Sequence, residues 1–402
     1  MFCSMSGNDL RHAIIVGASY AGLCAAAALQ ANGWKTTVLE RSTELLRSGG
    51  GVVVQRRMAD YLEAHALASP GITSVPARMR MIYQPDGSLL RLPETAKSYT
   101  AWDVLLREFE RTVGEENIHR GCALQSIEQT PEKAVAVLAD GNRLEGDLLV
   151  AADGIGSKAR SLLLPNLEPS YAGYVAWRGT VDERNLPHTL RRDCAGTFCS
   201  FTGDQTNIVA YEIPGPDGSV EIGKRRVNWV WYVNVAPGEE LECLLVGTSG
   251  RKKKSTLPRG EARPETVEQM IRSARELLPS KFATIVESTP EPFAQAILDY
   301  QAPRLFFGRT VLIGDAASLI RPHLGAGTSK AVEDAVSLAD AACGPDFRQR
   351  GCLRAWEQVR LEEHDALAEQ AKAVARRIGL GLVGSGVDGD LAEAEDSRSR
   401  TA

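Results

Sequence analysis

An α/β fold, in which a parallel-sheet domain is interrupted by an inserted antiparallel β-sheet and followed by C-terminal helices, is predicted by three features of the 402-residue sequence. Residues 12–40 read as strand, glycine turn, helix, strand. A second strand-and-glycine pattern lies far along the chain, around Gly314-Asp315. Between the two runs a stretch rich in aromatic and β-branched residues, broken by Pro/Gly turns.

Ala13-Ile-Ile-Val16 is a short apolar run, and Gly17-Ala-Ser-Tyr-Ala-Gly22 follows it as a turn into the apolar helix Leu23–Leu29. Gly33 closes that helix and Thr36–Glu40 is the next strand, so a Rossmann-like βαβ unit with a parallel sheet is expected. Asp147–Ala152 is a buried strand ending in Asp153-Gly154. Tyr174–Trp177, Ile208–Tyr211 and Val227–Val235 then form antiparallel strands. In the last of them, period 2 sends Trp229, Trp231 and Val233 to one face and Asn228, Val230, Tyr232 and Asn234 to the other. Arg251–Lys254 is a solvated basic loop. Thr310–Gly314 returns to the parallel sheet, and a small-residue helix runs from Gly327 to about Ala342. The nucleotide-type domain is thus discontinuous, over 10–82, 100–170 and 290–372, with the β-sheet substrate domain at 83–99 and 171–289. Residues 373–402 are the end of the C-terminal helix and a tail expected to be disordered from about Gly384.

Composition narrows the function. Forty-six basic and 51 acidic residues leave a net charge of −5, which speaks against nucleic acid as the partner. The apolar run at Leu23–Leu29 falls far short of the ~18 residues that cross a bilayer, so no membrane partner is expected. The eight cysteines form no C-x-x-C pair or zinc-type cluster, which points to reduced thiols, no metal and a cytoplasmic setting. Monomer and homodimer both remain open.

The motifs carry dinucleotide chemistry. A helix N-terminus after Gly17-x-Ser19-x-x-Gly22 favours a pyrophosphate, and Glu40 can accept from ribose hydroxyls. A side chain at Gly17 is expected to occupy the space of the pyrophosphate. Gly314-Asp315 puts an acid at a strand end, and Arg321-Pro-His-Leu-Gly-Ala-Gly327 leads into a helix whose positive end suits an anionic reduced flavin.

In order and spacing these three motifs resemble those of the single-component FAD-dependent aromatic hydroxylases, the class A flavoprotein monooxygenases, over roughly residues 12–375. The resemblance implies FAD held by Gly17, Ser19, Tyr20, Ala21, Gly22, Glu40, Arg41, Gly51, Val52, Asp153, Gly314, Asp315, Gly325, Ala326, Gly327 and Thr328. Within that set Asp315 would take the ribityl chain, Asp153 would sit near the pyrophosphate and a transient NADPH or NADH, and Glu40 with Arg41 would hold the adenosine end. Gln55, Tyr211, Pro322 and His323 would meet the substrate, His323 and Tyr211 being the catalytic candidates for moving the proton of a ring hydroxyl. Ser318 stands where a His commonly follows Gly-Asp-Ala-Ala, and Trp102 where many relatives have an FAD-contacting Arg.

The implied reaction is hydroxylation of a small, electron-rich aromatic substrate by NAD(P)H and O2 through a flavin C4a-hydroperoxide. The alternatives are hydroxylation or epoxidation of a larger phenolic or polyketide-like metabolite, and a non-enzymatic dinucleotide-binding redox sensor or scaffold. A flavin disulfide reductase is disfavoured: Cys194 and Cys199, five apart in a strand, would face opposite ways, and no second Gly-rich fingerprint is present.

Overall fold

The computed structural model describes residues 11–43, 50–64, 72–343, 347 and 351–381; the tail expected to be disordered lies outside them. In chain order the first elements are β1 (His12–Val16), α1 (Tyr20–Ala31), β2 (Lys35–Glu40), β3 (Gly51–Val54), α2 (Arg56–Ala64), β4 (Val75–Tyr83), β5 (Leu89–Ala101) and α3 (Trp102–Val113). Next come β6 (Ile118–Arg120), β7 (Leu124–Gln129), β8 (Ala134–Leu138), β9 (Arg143–Gly146), β10 (Leu148–Ala151), α4 (Lys158–Leu163), β11 (Ser170–Asp182), α5 (His188–Cys194), β12 (Thr197–Gly203), β13 (Thr206–Ile213) and β14 (Arg226–Asn234). The rest are α6 (Glu239–Leu244), β15 (Thr256–Leu257), α7 (Pro264–Leu277), α8 (Ser280–Glu287), β16 (Phe293–Gln301), β17 (Phe306–Phe307), β18 (Thr310–Leu312), β19 (Ser318–Leu319), α9 (Gly327–Cys343) and α10 (Gly351–Arg377).

One sheet has the order β17-β18-β10-β1-β2-β6, parallel except for the edge strand β17. Its central strands β1 and β10 are almost wholly apolar because both faces are covered, and Ala13, Ile14, Ile15 and Leu148–Ala151 are fully buried. The buried small residues Ala25–Ala28 of α1 let that helix lie close against α9. Val16 pairs with Ala151, and Ala151 with Leu312, so Gly17, Asp153 and Gly314 emerge side by side at one edge. Open α/β sheets bind ligands at such an edge.

The second sheet has the order β15-β16-β11-β14-β13-β12-β4-β5-β3, with β19 paired to β16. Its two faces divide as the alternation predicts. Trp229 and Trp231 pack on Phe282, Ile285 and Val286 of α8 and on Met270 of α7, while Val230 and Tyr232 join Tyr174 and Ala176 on the other side. A small antiparallel sheet, β7-β8-β9, completes the strands of the described residues.

β3, β4 and β16 belong to the large sheet: β4 pairs with β12 and β16 with β11, partners too distant in the chain for a local pattern to reveal. One expectation is corrected. Cys194 ends α5 instead of lying in a strand with Cys199, and the two buried thiols meet, so hydrogen bonding between them, with burial, pushes the Cys199 thiol up.

The core gives a direct test. The buried Trp229 indole N–H donates to Thr289 Oγ1 at 2.7 Å. Replacing Thr289 by Val leaves that donor unpaired, and we expect a loss of about 1–3 kcal/mol in urea unfolding; an unchanged midpoint would show the bond to be dispensable.

Candidate active site

At the first strand end Gly17 has φ +107°, and a Cβ there would stand 2.5 Å from the Ala152 carbonyl oxygen. The neighbouring strand end is therefore already an obstacle to any side chain at this position. A Cβ on Gly22 would lie 1.9 Å from the Gly17 oxygen, which is the close helix–turn packing this position requires. Ser19 is extended and exposed at the start of α1 and makes no side-chain cap bond. The first N–H groups of α1 have no partner within the helix and suit an anion.

Tyr20 and Ala21 offer only backbone to that anion. The Tyr20 hydroxyl donates to the Trp102 carbonyl at 2.7 Å, and a Cβ on Gly314 would meet Ala21 Cβ at 2.6 Å. Glu40 accepts from the N–H groups of Ala18 and Ser42, both at 2.9 Å, and so braces the turn; Arg41 is exposed. Asp153 caps the next helix, α4. Its carboxylate accepts from Lys158 N at 2.7 Å, Ala159 N at 3.1 Å and the Ser157 hydroxyl.

Arg160, which the sequence reading passed over, ties two motifs together. Its guanidinium donates to the carbonyls of Ile155 (2.6 Å) and Asp315 (3.2 Å) and lies 4.5 Å over the Tyr300 ring. The Gly314 peptide is held from the other side: its N–H donates to Asp334 at 2.9 Å and its carbonyl accepts from Lys330 Nζ at 2.8 Å. Lys330 is 1% exposed. Burial alone would raise the Asp334 carboxyl, but His364, Lys330 and Arg360 around it hold it well below the usual carboxylate range. This cluster was invisible in sequence because Lys330, Asp334, Arg360 and His364 sit on two helices; only the i, i+4 spacing of Lys330 and Asp334 was a signal.

Asp315 itself is exposed, yet into an enclosed space: removal from bulk water raises its pKa, opposed by Lys330 and Arg160. Gly325 adopts φ +61°, and a Cβ on Gly327, at the exposed start of α9, would meet nothing within 4 Å. Gln55 Nε2 donates to the Leu324 and Gly325 carbonyls, at 3.3 and 3.1 Å, and so braces the loop. An acid open to an internal space between two free helix N-termini is the donor and acceptor set that FAD requires, and the site fits it.

On the substrate side His323 Nε2 is 2.8 Å from the Tyr174 hydroxyl, and its ring lies 4.7 Å from that of Tyr232. Burial, with Arg321 beside it, lowers the His323 pKa to about 4. Arg321 is itself paired with Asp299 at 2.6 Å. Tyr211 stacks on Tyr99 at 4.2 Å under Gly51. Burial pushes its hydroxyl up against the pull of Arg178, so Tyr211 keeps its proton. A surface cavity of about 680 Å³ between β17 and α10 is lined by Arg304, Phe306 and Arg354 and includes none of these residues.

Residues 12–68 match the family described as pyridine nucleotide-disulphide oxidoreductase, and 171–299 the family described as FAD binding domain-like. The chain is 30% identical over 365 residues to 2,6-dihydroxypyridine 3-monooxygenase of Paenarthrobacter nicotinovorans, covering 90% of each. It belongs to the class A flavoprotein monooxygenases. The solved structure of 2,6-dihydroxypyridine-3-hydroxylase from Arthrobacter nicotinovorans superposes on this monooxygenase with a TM-score of 0.86 at 30% identity, over 96% of each chain. Klebsiella pneumoniae HpxO, complexed with FAD and uric acid, shares the fold at TM-score 0.74 and 22% identity, over 96% of this chain and 92% of its own. This protein is accordingly an FAD-dependent enzyme that uses NAD(P)H and O2 to hydroxylate an aromatic substrate. The match over residues 12–68 spans the βαβ unit and excludes the Cys194 and Cys199 thiols. No helix of the described residues is long and apolar enough to cross a membrane.

The Gly314 clamp predicts a large effect. Asp334→Ala leaves the buried Lys330 without its counter-charge and Arg360 with only Glu333 and Glu363, and we expect a loss of about 3–5 kcal/mol in unfolding free energy together with lower FAD retention. Wild-type stability in that variant would mean that the cluster is neutralised in some other way.

Proposed function

We propose that this monooxygenase hydroxylates a small, electron-rich ring of the hydroxypyridine or phenol type, with His323 and Tyr174 handling the proton of a ring hydroxyl. The observation that carries the reading is the 2.8 Å contact between His323 and Tyr174, in the loop that leads from Asp315 to α9. The similarity to 2,6-dihydroxypyridine 3-monooxygenase supports the ring type.

FAD would be held through its pyrophosphate by the first turn of α1, towards its adenosine end by Glu40 and Arg41, and on its ribityl hydroxyls by Asp315. Gly51, Val52, Gly314 and the stretch Gly325–Thr328 would line it, the last of these presenting the positive end of α9. When bound, FAD carries electrons from NADPH or NADH to O2 and supplies the oxygen atom that enters the ring, the other atom leaving as water.

The protein's part is to hold the ring, exclude water and move one proton. With Nε2–H donating to Tyr174, His323 Nδ1 has a lone pair to offer a ring hydroxyl. Depressed basicity makes it an acceptor that passes a proton on, and an ionised ring beside it would raise its pKa towards the working range. Pro322 places the adjoining backbone at the same loop.

Three measurements test this. A panel of hydroxypyridines and phenols should accelerate NAD(P)H oxidation and yield products heavier by one oxygen; NAD(P)H oxidation that no ring stimulates would refute it. His323→Gln should lower hydroxylation by roughly 10²–10⁴-fold while FAD stays bound, with hydrogen peroxide replacing product. Asp315→Ala should weaken FAD binding by roughly ten- to hundredfold through loss of a charge-assisted bond.

The buried His323 also sets a pH dependence of stability. Its folded pKa of about 4 lies below the 6.5 of a free histidine, so the unfolded chain binds more protons between those values. Stability is full above the upper value and falls as pH drops towards the lower one, and His323→Gln should flatten that part of the thermal-unfolding profile.

A further inference from the structure

Resting on the reading above, we propose that Arg178 and Asn228 form a donor-only subsite for an anionic oxygen of the substrate, which stabilises the ring once its hydroxyl has lost its proton. Arg178 lies on β11, on the face that also carries Tyr174 and Ala176, and pairs with Val230. Asn228 lies one step along β14, opposite Tyr211 of β13. Gly50 and Gly51 pass directly over both: a Cβ on Gly50 would stand 2.9 Å from Asn228 Oδ1 and 3.5 Å from Arg178 Nη2, and one on Gly51 would strike the Tyr211 ring at 2.5 Å. These glycines lead into the strand that would line the flavin, so the donors lie beside the reacting edge.

The donors are unsatisfied. Asn228 is fully buried, and its Oδ1 accepts from Gly51 N–H at 2.6 Å, a contact that fixes which end of the amide faces the glycine. Its Nδ2 has no hydrogen-bond partner. Arg178 donates from Nη1 to Gln295 Oε1 at 2.8 Å, whereas its buried Nε has no partner. Among the described residues no carboxylate comes within ion-pair distance of Arg178, although nearby arginines have theirs: Arg225 with Glu212 at 3.0 Å, Arg226 with Asp103 at 2.9 Å and Arg321 with Asp299 at 2.6 Å.

Arg259 adds to the imbalance. It lies 5.6 Å over the Phe293 ring, with Arg178 at 5.9 Å from the same ring, and it donates to Thr180 of β11. Burying a cation and an amide N–H without acceptors is costly, and an anionic oxygen placed between them removes both penalties. Neither group can accept a hydrogen bond, so a neutral hydroxyl, which must also donate, is the poorer ligand. Burial raises the neighbouring Tyr211 and Tyr232 hydroxyls in spite of Arg178, so these phenols stay protonated and bring no competing negative charge to the guanidinium.

The test uses the FAD-loaded enzyme and three probes titrated through the visible flavin spectrum: 2,6-dihydroxypyridine, benzoate and the neutral 2,6-dimethoxypyridine. Arg178→Met should raise the Kd of the anionic probe by roughly ten- to hundredfold, leave the dimethoxy ring unchanged, and shift the ionisation of bound 2,6-dihydroxypyridine to higher pH; Arg178→Lys should restore part of the affinity. A loss confined to 2,6-dihydroxypyridine identifies the oxygen as a ring oxygen, and a loss confined to benzoate identifies a carboxylate. Equal losses on all three probes, or a fall in FAD content, would overturn the subsite. If the wild type hydroxylated no aromatic ring, the functional reading itself would fail, whereas hydroxylation insensitive to Arg178 would overturn the subsite alone.

Discussion

The peptide of Gly314 is the joint on which both halves of the site depend. Its N–H and carbonyl are held by Asp334 and Lys330, two residues one turn apart on α9, and the next carbonyl is held by Arg160 from behind α4. A peptide held from both sides fixes the direction in which Asp315 leaves the sheet edge. It also fixes where the loop Arg321–Gly327 begins, and hence where His323 meets Tyr174. The φ of +60° at Gly314 and the 2.6 Å approach of Ala21 leave no room for any other residue at this point.

Charge is distributed differently on the two sides of this joint. Behind it the cations Lys330 and Arg360 are matched by the carboxylates of Asp334 and Glu333, with His364 beside Asp334, in a buried space where a lone charge would be expensive. In front of it the compensation is incomplete: Asp315 faces an open interior space, and the arginines near the large sheet include two with no carboxylate in ion-pair range among the described residues. A rigid, neutral rear wall and an uncompensated front wall are what a site needs if ligands are to complete its electrostatics.

The parallel sheet was legible because each strand and turn announces itself locally: Ala13–Val16 with Gly17, Leu148–Ala151 with Asp153-Gly154, and Thr310–Leu312 with Gly314-Asp315. The two faces of β14 were legible from its period of 2. Pairings across long separations, such as β4 with β12, left no local trace. Residue roles were read less well than residue positions. Asp153 and Gln55 have the right chemistry for ligands, but their bonds go to backbone groups that only the folded chain brings near. Arg178 directly follows the strand run Tyr174–Trp177 and Asn228 lies within Val227–Val235, yet what marks them is a buried N–H without a partner on each, which a sequence does not record.

The most direct test of the account is isotopic. The FAD-loaded protein, supplied with NADPH or NADH, 2,6-dihydroxypyridine or a matched phenol, and ¹⁸O-labelled O2, should release a ring product that carries one labelled oxygen, formed with consumption of the nicotinamide. A product labelled from water instead, or nicotinamide oxidation without oxygen entering any ring, would contradict it.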